Sequence, residues 1–362
     1  GDIIISVRAP VGPTNIVLER SCIGRGLAAI RPQQYEQFLL LNYLRYIEKE
    51  IASLGTGSTF TAISRSHLQD IDIPLPPFPE QHRIVARLES LFQEVKTARE
   101  SLDMLPPIIK RFRQSVLAKA FRGELVAQDP KDEPTSVLLE RIEVERKKKL
   151  REKCCGPIAA NGLRELPKGW IWITTDMLFN YVTSGSRGWA KYYSEQGAVF
   201  LRIGNLDHAS ISLDLTSIQR VKPPSGTEGT RTRVQGKDIL ISITADVGMI
   251  AVVPFGIEEA YINQHISLAR PLKSVNENYL AWFLASNEHG QKQFINLQRG
   301  ATKVGLGLDD IRSILVPLPP LPEQQHIVTK IEQLFSIADQ MDISLDKTRK
   351  RVDKLEQSIL AK

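Results

Sequence analysis

The sequence predicts two α/β domains, of the α+β type, joined by two long helices that pair as an antiparallel coiled coil. The whole is an internal repeat with pseudo-twofold symmetry. Three observations carry this reading. One block of sequence occurs twice in fixed register. Each copy carries a heptad stripe of apolar residues. The stretches around the copies hold short β-rich runs and a helix.

The repeat comes first, because it organises everything else. IPLPPFPEQHRIVARLESLF, starting at Ile73, recurs as VPLPPLPEQQHIVTKIEQLF, starting at Val316. The register holds without a gap to Gln114–Lys119 against Gln357–Lys362. Upstream, GTGSTFTAIS at 55–64 lies opposite QRGATKVGLG at 298–307, and DIIISVRAPVG at 2–12 matches DILISITADVG at 238–248. The second unit opens at Glu165 in ELPKGWIW, well before its DILIS strand. The first has no counterpart of that opening, so its domain is expected to be a C-terminal part only. The expected boundaries are 1–72 for this first domain, 73–122 for the first helix, 123–163 for a connector with a basic helix, 164–315 for the second domain and 316–362 for the second helix.

In the first helix, apolar residues fall at Ile84, Leu88, Leu91, Val95, Ala98, Leu102, Leu105, Ile109, Phe112 and Val116, in alternating steps of four and three. The second copy has Ile327, Ile331, Leu334, Ala338, Met341, Leu345, Thr348, Val352, Leu355 and Ile359 in the same phase. Such a stripe is a pairing seam. Antiparallel pairing sets two similar domains at opposite ends and so predicts the twofold. Pro106 and Pro107 predict a break near Leu105, since proline removes a backbone donor and clashes with the preceding turn. The proline-rich lead-ins fix the entry to each helix. In the connector, Thr135 or Ser136 is expected to cap a short helix, and the run Arg146–Lys149 to be a solvated face. AVFLRI, KDILISIT, MIAVVPF and HISLARP read as strands of the second domain, with a helix near NENYLAWFLASNEHGQKQFI.

Composition excludes more than it assigns. The 362 residues carry a net charge of +6, a mild excess compatible with a polyanionic partner. Cys22, Cys154 and Cys155 make neither a disulfide framework nor a zinc spacing. No apolar run is long enough to span a bilayer, and no signal peptide opens the sequence. There is no GxxxxGK[ST] phosphate loop: Gly236-Lys237 lacks the earlier glycine. No Gly-rich cofactor fingerprint, no methylation motif and no carboxylate cluster for a metal is found, and Asp309-Asp310 reads as a helix cap. The residues therefore point away from an enzyme.

The duplicated pattern of domain plus heptad helix, with PLPPxxEQ lead-ins and RFRQSVLAKAFRGELV, resembles the specificity subunit of type I restriction–modification systems, a host-defence function. The resemblance implies two target recognition domains, each reading half of a split DNA site and held apart by the coiled coil. It implies a non-catalytic, cytoplasmic chain whose partners are double-stranded DNA, two DNA methyltransferase subunits and restriction/translocase subunits. S-adenosylmethionine, ATP and magnesium are expected on those partners and none on this chain.

A reader of DNA needs cations for phosphates and side chains for base edges. SGSRGWAKYYSEQG at 184–197 has them: Arg187 and Lys191 flank Trp189, with Tyr192 and Tyr193 beside them. Arg202, Asn205 and Asp207 follow a strand. The stretch reads as a recognition loop or as a hydrophobic plug with incidental charges. A second candidate loop contains Gln298, Arg299, Thr302 and Lys303, and a third Gln264 and His265, the histidine fitting a core position equally well. In the first domain the counterparts are Thr56–Thr59 and Arg25. Two other functions remain open: the recognition subunit of another restriction–modification type, and a coiled-coil scaffold that binds protein.

Overall fold

The computed structural model describes residues 1–55, 61–147, 163–223, 226–298 and 305–360. It divides into two compact units: unit 1 is Gly1–Ile109 with Gln340–Lys362, and unit 2 is Lys110–Asp339.

Unit 1 begins with three antiparallel strands, β1 (Ile3–Ser6), β2 (Thr14–Ile16) and β3 (Leu27–Ile30), in the order β2-β1-β3. β-Branched residues suit β1, and its alternation buries Ile3 and Ile5. These pack with Leu40, Leu41 and Leu44 of α1 (Gln37–Tyr46) and Ile51 of α2 (Glu48–Ser53). α3 (Arg65–Gln69) leads to α4 (Phe78–Asp103). α5 (Leu105–Arg122) follows after Met104, so the chain breaks just before the prolines. Pro106 and Pro107 sit in the first turn of α5, where the missing N–H costs nothing.

Unit 2 contains α6 (Thr135–Lys147), β4 (Ile171–Thr174), α7 (Thr175–Leu178), β5 (Phe179–Ser184), β6 (Tyr193–Ser194), β7 (Ala198–Leu201), β8 (Gln219–Val221), α8 (Thr227–Thr232), β9 (Ile239–Ser242), β10 (Ile250–Val252), β11 (Ala260–Ile262), β12 (Ile266–Pro271), α9 (Glu277–Ala285), α10 (Lys292–Leu297), α11 (Leu308–Arg312) and β13 (Leu315–Leu318). α12 (Leu321–Leu360) starts here and continues into unit 1. One sheet is β10-β9-β12-β5, a second β11-β7-β8-β6, and β13 pairs with β4. β9 is buried along its whole length, as a central strand covered on both faces must be.

The repeat survives to the level of side chains. Ile5 lies opposite Thr14 and Ala28 in unit 1, as Ile241 lies opposite Ile250 and Ser267 in unit 2. Asp2 and Arg31 form a two-pronged ion pair at 2.7 Å. Asp238 and Arg270 repeat it at 2.6 and 2.8 Å. The glutamine of each PLPPxPEQ block is a buried clip. Gln81 Oε1 accepts from Glu36 N at 2.6 Å while its Nε2 donates to the Pro76 carbonyl. Gln324 does the same with Asn276 N and the Pro319 carbonyl. Each lead-in is thereby tied to the start of α1 or α9.

Within unit 1 α12 runs antiparallel to α4. In unit 1 Arg99 meets Asp353 and Asp103 meets Arg349. In unit 2 Arg113 meets Asp339 and lies over the ring of Phe335. The stripe is only half buried. Ala338, Leu345 and Val352 are enclosed, but Met341 and Leu355 face solvent, against expectation. A straight helix drifts against a strict seven-residue repeat, so a two-helix contact can keep one heptad position covered while the next turns outward. Of the other seam positions, Val95, Ile327 and Ile331 are buried, whereas Ile84, Leu88, Leu91, Leu102 and Leu334 are half-buried.

Two readings of the connector are corrected. Arg146 is buried, not solvated: its guanidinium donates to the Asp176 carbonyl and carboxylate. Thr135 is the first residue within α6 and not the residue ahead of it; it is buried and its hydroxyl donates to the Gly169 carbonyl. Asp310 does act at a helix start, its carboxylate accepting from Gly307 N at 2.7 Å. Cys154, Cys155, Lys148 and Lys149 fall outside the described residues. No helix among the described residues is long and apolar enough to cross a membrane.

Candidate nucleic-acid interface

The candidate loops of unit 2 converge at one end of the β10-β9-β12-β5 sheet. β5 ends at Ser184, and the chain turns through Gly185 to Ser186, which bridges Asn263 in the loop ahead of β12. Gly185 is required there, because a Cβ would lie 1.9 Å from the Asn263 carbonyl oxygen. Its N–H donates to Ile266 O. Beside it, His265 Nδ1 meets Thr244 Oγ1 at 2.6 Å, where β9 leaves for the hairpin to β10. Thr244 in turn bridges Gly305. His208 Nε2 reaches Asp246 of the same hairpin at 2.8 Å, which adds the 202–214 loop to the cluster. Arg299, Thr302 and Lys303 lie outside the described residues, as do Thr56–Thr59.

Within the Ser184–Gly197 stretch the structure encloses some residues and leaves others at the surface. Trp189 is the plug. It is buried, stacked on Phe200 at 5.2 Å and 9°, and flanked by Tyr261 and Tyr192. Desolvation pushes the Tyr261 phenol up to about 12, helped by its hydrogen bond to Glu259, so it stays neutral. Asn205 is likewise buried; its Oδ1 accepts from Arg202 N, and its amide donates to the carbonyls of Asp214 and Ser217. Asn205 thus has its hydrogen bonds spent inside the protein, whereas the Trp189 indole N–H is buried with no partner among the described residues; both side chains lie within the fold and not on its outer side.

The charged residues take the outer side. Arg187 is exposed beside Gly188, a left-handed residue with φ 81°. Lys191 is exposed and lies 5.0 Å from the Tyr192 ring centroid. Tyr193 is exposed and Arg202 half-buried. Asp207 is exposed and accepts from Ala209 N at 3.1 Å. Among the described residues no carboxylate pairs with Arg187, Lys191 or Arg202. Gln264 and His265 are half-buried and joined at 3.0 Å.

Two arginines escaped sequence reading. Arg231 in α8 fastens the end of β5 and the turn after it, donating to Thr183 Oγ1 at 2.7 Å, Ser184 O at 3.0 Å and Ser186 Oγ at 2.5 Å. Arg233 is exposed and its backbone bridges Tyr261. The Arg-Thr-Arg triplet at 231–233, set among small residues, was the available signal. In unit 1, Arg8 bridges Ala62 as Thr244 bridges Gly305, and Arg8 and Arg25 are both exposed. Among the described residues no group of His, Cys, Asp and Glu could hold a metal ion.

The sequence matches the family described as Type I restriction modification DNA specificity domain over residues 1–103 and 227–344. The type I restriction enzyme EcoBI specificity subunit of Escherichia coli is 28% identical over 331 residues, covering 89% of this chain and 63% of that protein. The EcoDI specificity subunit of Escherichia coli is 27% identical, covering 87% and 66%. The chain thus spans just under two thirds of the length of these relatives. Among solved structures, a chain from a type I R-M system superposes with a TM-score of 0.69 at 21% identity, over 99% of this chain and 80% of that one. The HsdS subunit from Thermoanaerobacter tengcongensis gives 0.62 at 22%, over 99% and 79%. At these identities the superpositions speak to fold: α/β domains with long helices.

Proposed function

The chain belongs to the Type I restriction modification DNA specificity domain family, and from that premise we propose that it is the non-catalytic subunit that reads a bipartite site in double-stranded DNA and directs methylation and restriction subunits to it. One observation supports this above the others: five segments distant in sequence meet at one sheet end, one of them carrying Arg187 and Lys191, and Arg233 follows two residues after the Arg231 that clamps this segment; among the described residues none of the three pairs with a carboxylate. Unneutralised cations on projecting loops suit phosphates, and arginine beside small residues can approach a base edge. Residues 164–315 form the second target recognition domain in this reading, and 1–72 part of the first. Arg299, Thr302 and Lys303 belong to the contacting set.

The long helices act as an antiparallel coiled coil relating the two domains by a pseudo-twofold, a reading supported by the in-phase stripes and the ion pairs. The partners are two methyltransferase subunits and restriction/translocase subunits, which hold S-adenosylmethionine, ATP and magnesium. The complex works in the cytoplasm. The test is selection of bound duplexes from a random-sequence library, with the chain co-expressed with its methyltransferase subunits. An enriched motif is expected, and modified bases should map to it. Recovery of the input distribution would favour a protein-binding scaffold.

A further inference from the structure

Beyond α8 the chain of unit 2 runs extended from Arg233, and exposure alternates along it. Arg233 and Gln235 are at the surface and Val234 is buried. With Arg231 they line one side of a cleft of about 610 Å³. The other side is the β5–β12 pair. There Tyr181 and Arg270 lie directly opposite each other, so their side chains share a face. The Arg270 guanidinium lies 5.8 Å from the centre of the tyrosine ring.

The charge of this cleft is unbalanced. Asp238, which pairs with Arg270, is buried and does not line it. Its carboxylate is spent: Oδ1 accepts from Arg270 Nε, and Oδ2 from Arg270 Nη2 and Gln235 N. That leaves Arg270 Nη1 and the whole Arg233 guanidinium without a partner among the described residues. Three guanidinium groups thus border one space, and among the described residues no carboxylate lines it. Like charges so placed repel one another, and an anion between them relieves the repulsion. The fork of a guanidinium matches the oxygens of a phosphate. A nucleobase finds nothing comparable. The Tyr181 ring is covered by Arg270, and its hydroxyl donates to the Arg231 carbonyl at 3.4 Å. Arg231 also holds Ser186, next to Arg187, so the cleft is continuous with the candidate interface.

We propose that this cleft seats one backbone phosphate of a DNA duplex, gripped by Arg233 and the free edge of Arg270, while the loops at the sheet end meet the bases. The assignment rests on the reading of the chain as a DNA-binding subunit. Three residues of β5 separate Tyr181 from Ser184, a distance of ~10 Å. A duplex rises ~3.4 Å per base pair. The seated phosphate therefore lies outside the bases that are read, within about three pairs of the nearest. Arg231 touches both places and is a positioning residue, fixing the seat relative to the turn at Ser186.

The experiment uses the full chain with its methyltransferase subunits and the duplex that it selects. A methylphosphonate, which removes one backbone charge, is placed at each flanking position in turn. One position within about three pairs of the motif should weaken binding. Arg233→Gln should lower the slope of log affinity against log salt by about 1 and leave the selected motif as it is. The two losses should not add: in the Arg233→Gln chain a methylphosphonate at that position should cost nothing further. Arg233 is exposed, so its replacement should not move the melting of the free chain. An enriched motif with an unaltered salt slope in Arg233→Gln would overturn the seat and leave the reading of DNA standing. Losses that add at every position would do the same. Failure to enrich any motif would remove that reading and the seat with it. Inorganic phosphate is the remaining arm. If it raises the melting of the free chain but not of Arg233→Gln, while no methylphosphonate position matters, the ligand is free phosphate and the duplex assignment falls.

Discussion

Arg187 and Lys191 sit four residues apart on one loop but differ in what they can do. Lysine is a point charge, so Lys191→Ala should weaken binding to all duplexes alike and lower the slope of log affinity against log salt by about 1. Arginine can grip a guanine with two donors, so Arg187→Ala should cost about 1–3 kcal/mol on the preferred sequence and relax it at one position. Fluorescence anisotropy across a salt series separates the two, and unchanged binding in both variants would favour the scaffold. Trp189 behaves otherwise. It is packed among Phe200, Tyr261 and Tyr192, so Trp189→Ala should cost about 3–5 kcal/mol in thermal unfolding. His289 carries a pH dependence. It is half-buried against Phe121 and Phe283, and the partial desolvation lowers its pKa. The folded state then binds fewer protons than the unfolded one below about pH 6.5. The stability that the neutral ring contributes should be present above that pH and lost as pH falls through the folded pKa. His289→Gln should flatten this part of the stability–pH curve measured between pH 5 and 8. The Ser184–Gly197 stretch stood out in sequence because cations, aromatics and glycines crowd together there. The division of labour within it was not, since an aromatic between two cations can face either way. Arg231 was hidden for another reason: its partners Thr183, Ser184 and Ser186 are distant in sequence and meet it only after folding.

Two copies of one ion pair, at equivalent places on two sheets, show how burial sets the worth of an element's contacts. Asp2 and Arg31 lie at the surface, the arginine side chain 78% exposed. Asp238 is enclosed, its side chain 1% exposed, and Arg270 holds it across β9 and β12. Arg270→Ala would strand a buried carboxylate, and should cost about 3–5 kcal/mol. Arg31→Ala should change stability by well under 1 kcal/mol, as exposed pairs do. Differential scanning calorimetry of the two variants makes the comparison, and equal costs would contradict the burial argument. The sequence displayed the DIIIS and DILIS strands plainly, because period and hydrophobicity are local. It did not display the arginines that clamp them, which come from the far side of a loop. The glutamine of PLPPxPEQ was visible as a repeated letter, but its job of joining the lead-in to α1 or α9 is tertiary. The heptad stripe announced the helices. It overstated the contact at Met341, because sequence gives the seven-residue repeat but not the local phase of a particular helix against its neighbour.

At the scale of the whole molecule, the proposed coiled coil acts as a ruler. If the helices hold two readers apart, the unspecified gap between half-sites follows from helix length, whereas half-site identity follows from the loops at each sheet end. The two can then be varied separately. Adding one heptad to α4 between Val95 and Leu102, and one to α12 between Leu345 and Val352, keeps the buried positions in phase and the antiparallel match intact. Seven helical residues add ~10 Å. With DNA rising ~3.4 Å per base pair, the preferred gap should lengthen by about three pairs. The bases read on either side should not change, since no loop has been touched. A heptad added to α12 alone should separate Arg99 from Asp353 and Asp103 from Arg349, misalign the stripe and abolish methylation. The measurement is methylation, by the assembled complex, of a duplex library that keeps the half-sites and varies the gap. A lengthened protein that still prefers the original gap would mean that the distance is set by contacts with the methyltransferase subunits and not by these helices.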